Sequence, residues 1–314
     1  MNAFSVTRAV QREWLEALER HGLTLRARPG VHHVDVGLEY RSGRPSGRLA
    51  LRIHVDEKLP DPPGPVDLDG RPLDVLVTRP RPHLSADDRV DPLLGGITIT
   101  NAVHAFGVGT LGAIVFDRAT GAPMLLSARH VLCGLDGGPG DQITQPEGGD
   151  EVAVVSRVAR SVDAAVATLH GPRGFTTAIA GRAVGISELD SALVGTVVTK
   201  SGRTTGTTSG IVDGVSEKGF SVVPDPAGPA LPGGEISSEG DSGAIWAVAE
   251  RPEVGLGLHV AGEADPDPAA ERAWAVDLTA VARELDISFT DPSKTAAAAN
   301  GSTRRNAPAA GGGP

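Results

Sequence analysis

This chain predicts a mostly β protein, two antiparallel β-barrels preceded by a small α+β module and closed by a C-terminal helix. Two observations carry that expectation. Its 314 residues include 41 glycines and 24 prolines, interspersed with short Val/Ile/Leu runs, a texture of hairpins and loops rather than of long helices. From Leu94 onward the runs recur as regular strand-and-turn units, spaced as in paired barrels. A chain of this length can bury a substantial core, as one large domain or two of ordinary size.

Taken in order, Val6 to Leu23 place Val6, Val10, Trp14, Leu15, Leu18 and His21 near one face at helical spacing, with His21-Gly22 as a stop. This reads as a docking helix. VHHVDVGLEY and GRLALRIHV, joined by the turn-rich RSGRPSG, read as a β-hairpin. A connection containing Pro60, Pro62, Pro63 and Pro65 leads to a third strand around Asp74 to Val77. The module spans residues 1–90, and residues 91–289 hold the barrels. The first barrel, roughly Gly95 to Asp190, takes GITITN, GTLGAIVFD, MLLSARHVL, DEVAVVSRV and SVDAAVATL. The second, Ser191 to Val276, takes LVGTVVTKSG, TSGIVDGV, GFSVV, GAIWAVA and VGLGLHVAG. VDLTAVARELDI reads as the closing helix, capped by Asp277. Residues 290–314 lack an apolar core and are expected to be disordered.

Composition narrows the function. A formal net charge of −10 argues against nucleic acid or an anionic membrane as the main partner, because binding phosphates needs a basic surface. A protein or peptide substrate carries no such requirement. Cys133 is the single cysteine, so no internal disulfide can form. The first 22 residues alternate charge with apolar side chains, unlike a signal peptide. No stretch approaches the ~18 consecutive apolar residues of a membrane span. The expectation is a cytoplasmic protein.

The chemistry centres on Ser237 to Val248, SSEGDSGAIWAV. Gly240-Asp241-Ser242-Gly243 sets a hydroxyl between two glycines directly before an apolar run, a tight loop feeding a buried strand. A serine hydroxyl is a weak nucleophile at its own pKa and needs a base and an orienting carboxylate. His130, in MLLSARHVL, and Asp163, in SVDAAVATL, are the candidates. Asp141, Asp150 and Asp190 also stand near strand ends, where the bland reading is turn capping. With GDSG, HVL, VDAAVA and KSGRTTG all present, and the order His, Asp, Ser, the chain resembles the chymotrypsin-like serine proteases. Its texture is similar to a disulfide-free branch found in bacteria and in plant narrow-leaf-type proteases. That likeness adds GTLGAIVFDR, GDQITQP, VVTKSGRTTGTTSGIV and the N-terminal β module.

The resemblance implies two six-stranded barrels and a cofactor-free, metal-free endopeptidase with a cleft between the barrels. Ser242 would attack the scissile carbonyl, His130 would move the proton, and Asp163 would hold the imidazole in the productive tautomer. The amides of Gly240 and Ser242 would form the oxyanion hole. It also implies a substrate pocket walled by Ile236, Ser237, Glu239, His259 and Gly262. In relatives that cut after Arg or Lys, an Asp stands where this chain has Ile236, so a basic P1 residue is not expected. His259, in GLHVAGE, reads either as a hydrogen-bonded core histidine or, as the resemblance implies, as a pocket donor for a polar P1, Gln or another polar residue rather than Glu, because Glu239 and Glu263 would repel a charge. In zymogen-type relatives the carboxylate at the Asp241 position pairs with a newly cut N-terminus. No activation site is evident at Leu94-Gly95-Gly96-Ile97, which leaves Asp241 without an assigned partner. Arg129 stands before His130 where the family usually has a small residue.

Blander readings cover the rest. Cys133 reads as a small buried apolar residue, and KSGRTTG as a tight β-turn, since it lacks the Gly-x4-Gly-Lys spacing of a phosphate loop. His32 and His33 have no third metal ligand at a recognisable spacing. The N-terminal module is expected to pack on the barrels and to regulate access or set an oligomer, because its strands need a covered edge. The alternative to an endopeptidase is a catalytically latent protease-fold scaffold, with an esterase using the same residues as a third reading.

Overall fold

The computed structural model describes residues 6–41, 44–55, 67–78, 80–81, 89–104, 107–182, 184–225, 235–263 and 271–292. The proline-rich connection and the tail from residue 293 lie outside them.

Helix α1 (Arg8–Arg26) starts at Thr7, whose hydroxyl accepts from the Val10 amide, an N-cap that fills one of the orphan donors of the first turn. The helix runs past Gly22, where the sequence predicts a stop. Gly22 and Leu25 are both buried, and that packing outweighs the roughly 1 kcal/mol that glycine costs in a helix interior. Its buried face is Gln11, Ala17, Leu18, Gly22 and Leu25. Val10 is 41% exposed, and His21 pairs with Asp69 at 2.9 Å. Gln11 donates to Ala192 O at 2.7 Å and accepts from Val194 N at 2.9 Å, while Arg8 reaches Asp190 at 2.6 Å.

The expected hairpin is β1 (Val31–Arg41) with β2 (Arg44–Val55). After β3 (Asp67–Leu68), β4 (Arg71–Val77) runs parallel to β2, and β5 (Pro80–Arg81) leaves the module. The barrel region opens with β6 (Leu93–Gly95), β7 (Thr98–Asn101), β8 (Gly109–Thr110), β9 (Ala113–Asp117) and β10 (Pro123–Ser127). One turn of helix, α2 (Arg129–Cys133), precedes β11 (Gln142–Gln145), β12 (Asp150–Val158), β13 (Ala165–Leu169), β14 (Phe175–Ile179) and β15 (Glu188–Leu189). Then come β16 (Val197–Gly202), β17 (Gly206–Ser216), β18 (Gly219–Pro224), β19 (Ile245–Val248), β20 (Arg251–Glu263) and β21 (Ala273–Asp277). Helix α3 (Leu278–Glu284), capped by Asp277 as expected, and β22 (Ile287–Ser288) close the described chain.

Among the described strands, β16-β19-β20-β21-β18-β17 close into a six-stranded barrel through the β16–β17 pairing. β22-β9-β10-β13-β12-β11-β7-β8 form the first barrel as a curled sheet. The mostly β, two-barrel expectation holds. The KSGRTTG turn is the β16–β17 hairpin, with Gly202 opposite Gly206. The module does not sit on the second barrel as a separate layer. β1 pairs with β17 at Val36↔Val215 and Gly37↔Gly214. Leu18, Leu25, Val34, Leu51 and Ile53 share one apolar cluster with Val212, Trp246 and Leu256. Each such large side chain removed from water contributes about 1.5–3 kcal/mol.

Arg52 fastens this junction. Its fully buried guanidinium donates to both oxygens of Asp35 on β1 (2.7 and 2.6 Å) and to Asp213 on β17 (2.5 Å). Gly37 and Gly214 make room for it, since a Cβ at either would lie about 2 Å from the guanidinium, 2.2 and 1.9 Å respectively. Burial works against every charge here, but Arg52 holds the Asp35 carboxyl well below the usual carboxylate range.

Candidate active site

Strand register brings His130 and Asp163 together. β10 and β13 pair with Ser127 opposite Ala165, so the residues just beyond Ser127 meet those just before Ala165. Ala128 is extended, and α2 turns Val131, Leu132 and Cys133 into the core. His130 therefore sits on a one-turn helix, one step past the strand end that the sequence predicts. Its Nδ1 lies 2.6 Å from Asp163 Oδ2, and its backbone amide donates to Oδ1 at 3.1 Å. A carboxylate only accepts, so Nδ1 carries a proton in this pair. The His130 Nε2 is buried and makes no hydrogen bond. Beside the pair opens a cleft of about 400 Å³ lined by Arg129, Leu135, Arg160 and Val162. The other candidate carboxylates are committed elsewhere: Asp141 to His104, Asp150 to Arg89 and Asp190 to Arg8.

The Gly240–Gly243 loop comes from the second barrel. Gly240 and Gly243 have φ of +94° and +98°, a region open to glycine at little cost. A Cβ on Gly243 would stand 2.2 Å from both Ser127 Oγ and Thr110 O, so this loop presses directly on the end of β10, three residues before His130. The Ser242 carbonyl accepts from Thr110 N at 2.8 Å, and its hydroxyl donates to Val260 O at 3.5 Å. No Ser242–His130 hydrogen bond forms in this state, and such bonds often tighten only with substrate. Among the described residues, the amides of Asp241, Gly243 and Ala244 donate to Ser238, His259 and Asp241 carbonyls. Those of Gly240 and Ser242 donate to none.

Asp241 finds its partner in Lys200. Nζ donates to Oδ2 at 2.7 Å, and both side chains are 0% exposed. Thr205 Oγ1 and Ser238 N also donate to Oδ2, and the amides of Thr204 and Thr205 to Oδ1. Burial alone would raise the Asp241 carboxyl, but Lys200 and Thr205 hold it at about 2. Sequence reasoning took KSGRTTG only as a turn. The missed signal was a lysine inside the apolar run VVTKSG.

Of the expected pocket residues, Ile236, Ser237 and His259 are buried, with His259 edge-on to Trp246 at 6.2 Å, while Glu239 is exposed. Ser237 Oγ is buried without a partner. Glu271 was not foreseen. It is 2% exposed, accepts from the Ser237 amide at 3.3 Å, and is pushed up to about 8 by burial, with Glu235 and Glu263 adding like charge. Gly262 pairs with Ala273 on one side and with Arg81 of β5 on the other. Cys133 is buried, and burial pushes its thiol up.

The paired barrels, with His130 and Asp163 on one and the Gly-Asp-Ser-Gly loop on the other, define a chymotrypsin-like fold. No family model and no curated protein matches the chain. Among solved structures it is similar to a glutamic-acid-specific serine protease that uses a histidine triad in substrate binding (TM-score 0.50, 20% identity, 62% of this chain and 99% of that one). It is also similar to a Nocardiopsis protease (0.47, 18%, 62% and 97%) and a Cellulomonas bogoriensis chymotrypsin (0.45, 15%, 63% and 98%). At these identities the likeness is one of fold. No described helix is long and apolar enough to cross a membrane.

Proposed function

We propose that the protein is a serine endopeptidase that cleaves peptide bonds through an acyl-enzyme on Ser242. The observation that carries this reading is the 2.6 Å His130–Asp163 pair, which leaves the buried His130 Nε2 without a partner. Gly243 of the serine loop presses on Ser127, three residues before His130, and the Gly240 and Ser242 amides of that loop are unspent. His130 takes the hydroxyl proton as Ser242 attacks and returns it to the leaving amine, and Asp163 stabilises the imidazolium. The two amides receive the developing oxyanion, each donor being worth about 3–4 kcal/mol. The lone, buried cysteine accords with action inside the cell. A fluorophosphonate probe is expected to label Ser242 in the wild type, to fail in Ser242→Ala and His130→Ala, and to label Asp163→Asn far more slowly. Labelling at another serine, or undiminished labelling of His130→Ala, would overturn the assignment.

We assign specificity to Glu271, whose carboxyl accepts from the amide of the expected pocket residue Ser237. Below pH 8 its carboxyl is protonated and, with the Ser237 hydroxyl, offers hydrogen bonds to an uncharged polar P1 side chain. Above pH 8 it ionises and favours a cation. The ratio of kcat/KM for Lys over Gln at P1 should therefore rise through pH 8, and Glu271→Gln should flatten the rise. A ratio independent of pH in the wild type refutes the role given to Glu271.

One observation favours the second reading, a latent form. β5 occupies the edge of β20 at Gly262 and Glu263, next to the strand residue that accepts from Ser242. A peptide adding to this edge would compete with it. A folded wild type that never labels would move the assignment to this scaffold-like state.

A further inference from the structure

We propose that His33, Asp35 and His54 form a binding site for one imidazole-preferring divalent transition metal ion, with Zn²⁺ as its representative. The sequence shows no third ligand at a recognisable spacing near His32 and His33, but Asp35 follows on β1 and the β1–β2 register brings in His54. His33 and Asp35, two apart on β1, project from the same face, and His54 on β2 stands directly opposite His33. One ligand atom from each lies within 4.8 Å of the other two. His33 Nε2 is 3.9 Å and His54 Nε2 3.4 Å from the Asp35 oxygens, close to the roughly 3.4 Å between tetrahedral ligands bound at about 2.1 Å.

The second observation is the state of His54. It is fully buried, and its Nε2 makes no hydrogen bond despite facing Asp35. Nδ1 lies 3.2 Å from Thr78 Oγ1, an outer partner that can fix the tautomer with Nδ1–H. Nε2 stands 3.4 Å from an Asp35 oxygen, and in either tautomer only a proton or a metal ion can lie between the two atoms without repulsion.

Arg52 sets the character of the site. It takes one acceptor position on each Asp35 oxygen. With Asp213 and Arg272 also paired, the cluster is charge-balanced before any ion arrives. Affinity must come from imidazole nitrogen rather than from net negative charge, which selects Zn²⁺, Co²⁺, Ni²⁺ or Cu²⁺ over Mg²⁺ and Ca²⁺. Entry runs through a cavity of about 180 Å³ lined by His33, Lys218, Phe220, Val260 and Trp274. Val260 is the residue whose carbonyl accepts from Ser242, so a bound ion would border the strands that carry the serine loop.

The test is titration of chelator-stripped, full-length protein with Co²⁺ followed by visible absorption, and with Zn²⁺ by calorimetry. One equivalent of Co²⁺ should bind, be displaced by Zn²⁺ and not by Mg²⁺, and weaken by about tenfold or more in both His33→Ala and His54→Gln. His33 is partly exposed, so His33→Ala keeps the test decisive should His54→Gln fail to fold. A folded wild type that takes up no Co²⁺ at millimolar concentration, or uptake unchanged in His33→Ala, overturns the site and leaves a proton between His54 and Asp35.

Discussion

Lys200→Met is expected to destabilise the protein by about 3–5 kcal/mol and to abolish detectable labelling of Ser242 in whatever fraction stays folded. Removing the ammonium strands a buried carboxylate, and breaking one side of such a pair costs far more than the pair itself contributes. Asp241 cannot simply turn away. It also accepts from the amides of Ser238, Thr204 and Thr205, so movement toward water would release three donors at once. The same carboxylate holds the residue next to Ser242, which ties the loss of charge to the loss of loop geometry. Asp241→Leu added to Lys200→Met should restore part of the stability, because no buried charge remains, and none of the labelling. Urea denaturation of the single variant checks the first claim. A loss under 1 kcal/mol would mean that water reaches Asp241 and that the pair does not set the loop.

Arg52→Leu should be at least as damaging, at about 3–5 kcal/mol or more, because two carboxylates on two strands lose one cation. Asp213 keeps Arg272 at 3.0 Å, whereas Asp35 keeps only His33 and His54 nearby. The rupture is thus expected between β1 and β17. Hydrogen exchange should show the amides around Val36 and Val215 losing protection before those of β10 and β13. Uniform loss across both barrels would show instead that module and barrels unfold as one unit. Expression in inclusion bodies would agree with the size of the effect, and Arg52→Lys, which keeps a charge but not the fork geometry, then supplies a soluble comparison.

Much of this was legible in the chain because it rests on short-range pattern. Strand runs, the Asp277 cap and the GDSG loop each depend on residues within about ten positions of one another, and the β1–β2 hairpin joins two adjacent runs across one turn. His130 and Asp163 were legible for a different reason, as each carries a recognisable local context. The Asp35–Arg52–Asp213 bridge was not, since its members are 17 and 161 positions apart and each looks like an ordinary polar residue in a strand. Lys200 and Asp241 were both in view but unpaired, because their meeting depends on how one hairpin folds over another loop. Helix α1 overran its predicted stop because the burial of Leu25 is a tertiary fact.

Gln11 has a wider consequence. The chain crosses from the first barrel to the second through residues 190–194, where a hinge would ordinarily be sought. There the carboxamide of Gln11 both donates to Ala192 and accepts from Val194, as a neighbouring strand would, with Arg8 pinning Asp190. Residues on an N-terminal helix thereby tie down the crossing. The spacing between the histidine on one barrel and the serine on the other is thus braced twice, by this helix from outside and by the contact of the Gly240–Gly243 loop with Thr110 and Ser127 between the barrels.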